Sequence, residues 1–223
     1  MINFLAIQNT YTHVQMGVFY GTKPIATIEI DKKDASKACI NALETLLVNC
    51  SMPFNDLAFI AVNQGPGPFT TLRVVIATVN GLGFTQKKPL IGINALEAFL
   101  SEYADQPTPT KVVLLNAFAH DLYFGIQTAG FIETGCATAA SCFLEISQKI
   151  PHGPILFLGN GITGNQSLIT DTFGHRVVFL SINPETVSLS RIAKMGLDEW
   201  INQKNLKYQL EPLYYKSTDA VYR

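Results

Sequence analysis

The chain has 223 residues, of which 48% are hydrophobic and 15% charged, with a formal net charge of −1. That length supports a substantial core in one or two lobes, and that composition excludes a disordered chain. The near-neutral balance excludes a strongly basic nucleic-acid binder, so any work on RNA is expected to go through a partner.

Met1-Ile2-Asn3-Phe4 leads directly into a strand-like run without a basic region and a cleavage site, so no secretory leader is expected. No apolar run is long enough to span a bilayer, and a cytoplasmic protein is the expectation. The four cysteines, Cys39, Cys50, Cys136 and Cys142, form no C-x-x-C pair and have no histidine at ligand spacing. They read as buried, reduced thiols.

In chain order, residues 2–7, 14–19 and 24–30 read as short strands, with Tyr20–Lys23 as a hairpin turn between the last two. A helix follows from about Asp34 to Asn49, started by Asp34 or Ser36. Its apolar set is Cys39, Ile40, Leu43, Leu46, Leu47 and Cys50. Residues 57–62 form a buried strand, 69–84 a long helix, 88–93 another strand, and 95–103 a helix capped by Asn94. The segment 104–111, "ADQPTPTK", is the clearest break in composition and suits a linker between lobes. Beyond it, 112–116, 122–128, 155–159 and 177–180 read as strands. Residues 185–202 read as a last helix, with Leu189, Ile192, Ala193, Gly196 and Trp200 on one face. The end has no period and is expected to lie extended on the surface.

The most unusual stretch is "VNQGPGPFTTLRVVIATVNGLGF", Val62–Phe84. A strand, a glycine-rich turn and a helix start make the generic anion site. However, "GPGPFTTLR" matches neither G-x-x-x-x-G-K-[ST] nor G-x-G-x-x-G. Pro66 and Pro68 also remove backbone donors that a phosphate cradle needs. The turn reads instead as a strand-to-helix connection, with Pro68 in the first turn or Thr70 as N-cap. On the helical wheel, Leu72, Val75, Ile76, Val79 and Leu82 face a sheet. The opposite face carries Thr70, Val74, Ala77, Thr78, Gly81 and Phe84. Arg73 is the only charge in the helix, and a helix apolar all round is buried on both sides. The preceding helix turns Ala38, Asn41, Thr45 and Val48 outward. Either the second lobe covers this mild surface or another protein does.

Several stretches resemble one family. "GPGPFTTLR" is similar to the "GPGSFTGLR" of the TsaB (YeaZ) family, and "AIQNT" stands where that family has "AIDTS". "INALEAF", "NAFAHDLYF", "GNG" and "PLYYK" match further family segments in order, covering essentially the whole chain. The resemblance implies an α/β, actin-like (ASKHA, ribonuclease-H-like) fold in two lobes with mixed sheets flanked by helices. The expected division is 1–104 for the N-terminal lobe, with 185–203 packing back on it, 105–184 for the second lobe, and 204–223 as a tail. It implies a non-catalytic role in making threonylcarbamoyladenosine next to the anticodon of ANN-decoding tRNAs. The implied partners are the TsaD transferase, as a heterodimer, and the TsaE ATPase. A homodimer is implied when the chain is alone, and tRNA is met only through the complex. Family members pair through the two N-lobe helices, which makes Ala38, Asn41, Thr45, Thr70, Arg73, Val74, Ala77, Thr78 and Gly81 the expected interface.

Catalytic residues, cofactors and metal ligands are not expected. TsaD carries a His-x-x-x-His pair, whereas His13, His120, His152 and His175 include no two at that spacing. The family's hairpin Asp is Gln8 here, and the Asp and Arg of its "DAR" are Asn116 and Phe118. Gln and Asn ligate Mg²⁺ poorly, which argues against nucleotide hydrolysis. No G-x-S-x-G elbow is present. The competing reading is an actin-like ATPase or a carbamoyl or acyl transferase with its own site. Gly159 and Gly161 can either let a nucleotide come close or close a tight loop. Arg73 can reach a partner carboxylate or its own lobe. Tyr214, Tyr215 and Lys216 can form a partner strip or pack on the last helix.

Overall fold

The computed structural model describes residues 2–215, so part of the tail, Lys216 of "PLYYK" included, lies outside the described residues. By internal contacts the described residues divide into one unit of residues 2–98 and 188–213 and a second of residues 99–187 and 214–215.

The first unit is built on a six-stranded sheet of order β11-β5-β4-β1-β2-β3. Strands β1 (Asn3–Asn9), β2 (His13–Tyr20) and β3 (Lys23–Asp31) form an antiparallel meander turned at Gly21, whose φ is +59°. β4 (Ile60–Gly65) and β5 (Leu90–Asn94) run parallel to β1. β1 is buried along almost its whole length, the mark of a central strand covered on both faces. β3 is largely exposed, as an edge strand is.

Helices α1 (Ala35–Asn49) and α2 (Phe69–Gln86) share a core with Leu5, Ile7, Ile60 and Val62 on one face of this sheet. α6 (Leu189–Ile201) covers the other face. There Phe4 stacks on Phe59 at 4.5 Å between ring centroids, and Phe59 stacks on Trp200 at 4.9 Å. Alternate residues of β1 and β4 thus serve opposite layers, as strand periodicity requires.

The helix starts differ from expectation in three places. Asp34 makes no side-chain capping bond to α1. Asp31 instead accepts from Lys33 N at the 3₁₀ turn Lys32–Asp34, and Ser36 lies inside the helix. Pro68, not Thr70, occupies the N-cap position of α2. α6 begins at Leu189 rather than 185, because the Ser188 side chain accepts from Arg191 N and fixes the first turn there. The cap on α3 (Ala95–Glu102) is as read: Asn94 Oδ1 accepts from Leu96 N and Glu97 N.

The second unit carries a five-stranded sheet of order β10-β9-β6-β7-β8. Its strands are β6 (Thr110–Asn116), β7 (Asp121–Gln127), β8 (Ile132–Thr138), β9 (Ile155–Leu158) and β10 (Val177–Phe179). α4 (Ala139–Lys149) and α5 (Gln166–Phe173) bury Phe143, Ile146, Ile169 and Phe173 against it. Two mixed sheets flanked by helices make this the expected α/β architecture.

The segment after α6 is extended and firmly held. β11 (Leu206–Lys207) pairs antiparallel with β5. Asn80 of α2 then bonds both backbone groups of Leu210, and Gln64 receives Leu213 N.

Candidate interface

α1 and α2 pack side by side, each with one face in the core. α2 buries Thr71, Leu72, Val75, Ile76, Val79 and Gly83, and Leu82 is half-buried. Gly83 lets Leu90 come within 3.1 Å of where a Cβ would stand. α1 buries Ala35, Cys39, Ala42, Leu43 and Leu46.

The expected interface residues all reach the surface. Asn41, Thr45, Thr70, Arg73, Ala77 and Gly81 are exposed, and Ala38, Val74 and Thr78 are half-buried. A Cβ built on Gly81 meets nothing within 4 Å. Thr45 Oγ1 donates back to Asn41 O at 2.9 Å, which hides its polarity from a neighbour. The Arg73 guanidinium lies over the Phe69 ring at 3.7 Å, a cation–π contact on its own helix.

Three large apolar side chains complete this surface. Ile40 is 54% exposed, Val48 69% and Phe84 83%. Ile40 corrects the reading that put it in the buried set of α1, where Leu47 and Cys50 are also only half-buried. Its signal was available: it lies one residue past Cys39, about 100° around the helix from the core direction. Near Ile40, Leu47, Val48, Met52 and Phe54 shape an open apolar groove of about 490 Å³.

The turn before α2 is filled by protein. Gly65 has φ +103°, precedes a cis peptide bond to Pro66, and donates to Asn63 Oδ1 at 2.9 Å. A Cβ on Gly65 would stand 2.9 Å from Leu72 and 3.3 Å from Leu213 O. On Gly67 it would stand 3.0 Å from Asn9 Nδ2, in a side chain only 5% exposed. The turn therefore launches a helix from a crowded strand end.

Gln8 and Asn116, the neutral amides singled out in the sequence, are both held by hydrogen bonds within the protein. Gln8 is buried; its Nε2 donates to Gln15 Oε1 at 2.5 Å, and Gln15 Nε2 donates to Glu29 Oε1 at 2.5 Å. This ladder crosses three strands from the core to the surface. Asn116 N donates to Asn160 Oδ1 at 2.9 Å, and Asn116 Nδ2 to Asn160 O at 3.2 Å. Gly159 and Gly161 are placed by the backbone of β6: a Cβ on Gly159 would lie 2.2 Å from Leu114 O, and one on Gly161 2.9 Å from Leu114 C. Their small size serves close packing on their own sheet.

No group of three or more His, Cys, Asp or Glu among the described residues could hold a metal ion. His13 is half-buried, and His120, His152 and His175 are exposed. No cysteine is in a disulfide; Cys39 and Cys142 are buried, while Cys50 and Cys136 are only half-buried, against the expectation for all four. Burial pushes the Cys142 thiol up to about 12, with Glu145 and Cys136 adding to the shift. Tyr215 OH meets Thr134 Oγ1 of β8 at 2.6 Å, so this tyrosine packs on a strand and not on the last helix. No helix among the described residues is long and apolar enough to cross a membrane.

A sequence model of the tRNA N6-adenosine threonylcarbamoyltransferase family, TsaD, matches residues 9–163. The chain belongs to the TsaD family. The match runs from the end of β1 through α1 and α2 to the loop of Gly159 and Gly161. The resemblance to TsaB holds as well. The TsaB protein of Buchnera aphidicola subsp. Schizaphis graminum is 28% identical over 123 residues, covering 54% of this chain and 58% of that protein. The threonylcarbamoyltransferase of Dictyoglomus turgidum is 34% identical over 93 residues, covering 40% of this chain and 27% of that protein. The aligned part thus spans little over half of the curated TsaB relative and about a quarter of the transferase. Among solved structures, YeaZ from Pseudomonas aeruginosa superposes with a TM-score of 0.73 at 18% identity, covering 96% of this chain and all of that one. A putative N-acetylmannosamine kinase from Listeria monocytogenes superposes with a TM-score of 0.54 at 14% identity, covering 89% of this chain. These likenesses establish the actin-like fold.

Proposed function

We propose that this chain is a non-catalytic scaffold for threonylcarbamoyl transfer to tRNA, docking a TsaD transferase through the outer faces of α1 and α2 and helping recruit the TsaE ATPase. The observation that carries the reading is the outer surface of these helices. It combines exposed apolar side chains, Ile40, Val48 and Phe84, with the small residues Ala77 and Gly81. Such a surface loses little on desolvation and admits a close helix contact. The names of the relatives, TsaB and threonylcarbamoyltransferase, supply the partner and the pathway.

The amides at Gln8 and Asn116 support the non-catalytic part of the reading, since neither offers a carboxylate to a metal–phosphate complex. Alone, the chain is expected to pair with a second copy through the same faces, in the cytoplasm. The deciding experiment combines purification of the full chain with its cognate TsaD and calorimetric titration with Mg-ATP. Stable association with TsaD and no turnover by the chain alone are expected. Turnover of ATP by this chain alone would establish the actin-like ATPase reading instead.

A further inference from the structure

We propose that the β11 edge of the first unit's sheet, with Lys87, Lys204, Lys207 and Tyr208, is an RNA-contacting strip. That the polyanion is RNA rests on the tRNA reading above; the strip itself rests on charge and placement. Lys207 lies opposite Leu90 in the β11–β5 pairing. Lys87 stands three residues before Leu90, and Lys204 three before Lys207. Three residues of chain span at most about 11 Å, so Lys87, at the C-cap of α2, and Lys204, before β11, both start close to the β11–β5 pair that holds Lys207. All three are exposed.

None of these lysines is within ion-pair reach of a carboxylate among the described residues, where the ion pairs use Lys33, Lys149 and Lys194. The nearby acids are engaged elsewhere: Asp198 meets Lys194 at 2.8 Å, and Glu199 accepts from Asn205 Nδ2 at 2.8 Å. Lys88 belongs to the fold, because its Nζ donates to Asn55 O at 2.7 Å. Beside Lys207 opens a polar groove of about 420 Å³ lined by Gln64, Gln209 and Glu211. Glu211 is the one acid on it. Tyr208, next to Lys207, is 67% exposed.

Unpaired cations grouped near one edge suit successive phosphates, and an exposed ring next in sequence to Lys207 suits a stacked base. A tyrosine can serve a protein interface as well as a stacked base, so RNA is chosen on the run of cations without carboxylate partners together with the tRNA reading above. The platform is rigid. Asn80 Nδ2 donates to Leu210 O at 2.9 Å, Leu210 N to Asn80 Oδ1 at 2.8 Å, and Leu213 N to Gln64 O at 2.8 Å. Three lysines are too few for tight binding alone, which agrees with a chain that meets tRNA as one wall of a larger assembly.

The test is binding of bulk tRNA by the full chain, measured by fluorescence anisotropy from about 50 mM salt upward. The wild type is expected to bind weakly, with affinity falling steeply as salt rises. Each of Lys87→Gln, Lys204→Gln and Lys207→Gln should lower the salt slope by about one. Tyr208→Ala should weaken binding about tenfold with the slope unchanged. Circular dichroism on each variant separates loss of contact from loss of fold. No binding by the wild type, or unchanged binding and slope in the triple lysine variant, overturns the proposal. So does loss of a co-purifying protein, with tRNA affinity intact. These readouts are independent of TsaD association, which tests the scaffold reading by itself.

Discussion

Gly159 lies so close to Leu114 that a Cβ on it would stand 2.2 Å from the Leu114 carbonyl oxygen. The contact is with backbone, which cannot swing aside, and Gly159 also has φ +99°. Gly159→Ala is therefore expected to cost about 3 kcal/mol or more from clash and strain together. Thermal unfolding of the variant should show a lowered midpoint. A midpoint within a degree of the wild type would remove the packing explanation for this glycine.

Two helical glycines should respond in opposite directions. Gly81→Ala fills open space and raises helix propensity, so it should stabilise the isolated chain by about 0.5–1 kcal/mol. Gly196→Ala gains the same propensity but sets its methyl 2.4 Å from the Ala61 Cβ, where α6 crosses β4. Overpacking of that kind costs about 1–3 kcal/mol, so this variant should be the less stable of the two. Urea denaturation of both, side by side, checks the sign of each.

Ala77→Arg and Gly81→Arg should leave the fold intact, since both positions are exposed. Each places a cation in the proposed α1–α2 contact. Association with the partner should weaken by about 2 kcal/mol or more, roughly 30-fold. Sedimentation or co-purification reads this directly. Normal pairing by both variants would relocate the interface.

Cys142 should resist alkylation. Burial raises its thiol from the ordinary 9.0 to about 12, so at pH 8 almost none is thiolate in the folded chain. Half-buried Cys50 and Cys136 should label first, as mass spectrometry after timed iodoacetamide treatment would show. Folding favours the protonated thiol, so this contribution to stability is complete below pH 9. It is lost as pH rises from 9 towards 12.

The first unit was easier to read from sequence than the second. β1, β2 and α2 carry long, unbroken hydrophobic patterns, and Asn94 announces α3 by a cap with Glu97 three residues on. In the second unit β8, α4 and α5 carried no sequence assignment. β8 is half-buried with Gly135 at its centre, and Gly135 is needed because a Cβ there would meet the Phe124 ring at 2.6 Å. α5 has only eight residues, with Thr170 and Thr172 bonding back to Gln166 and Leu168. α4 was the recoverable one: Thr138 caps it, and Cys142, Phe143 and Ile146 recur at helical spacing. On the surface, the outward residues of α1 and α2 were legible because periodicity fixes which side faces the sheet. The lysine strip was not, because β11 sets Lys207 opposite Leu90 across more than half the chain.

The return of residues 206–213 to β5, β4 and α2 also sets an order of assembly. A ribosome delivers β1 to β5 early, yet the partners of Gln64, Asn80 and Ile91 emerge only after residues 99–187 of the second unit have been made. The part begun first thus waits for most of the second unit before its sheet is complete. Until then β5 presents an open sheet edge to the cell, and the lid for that edge is carried by this same chain.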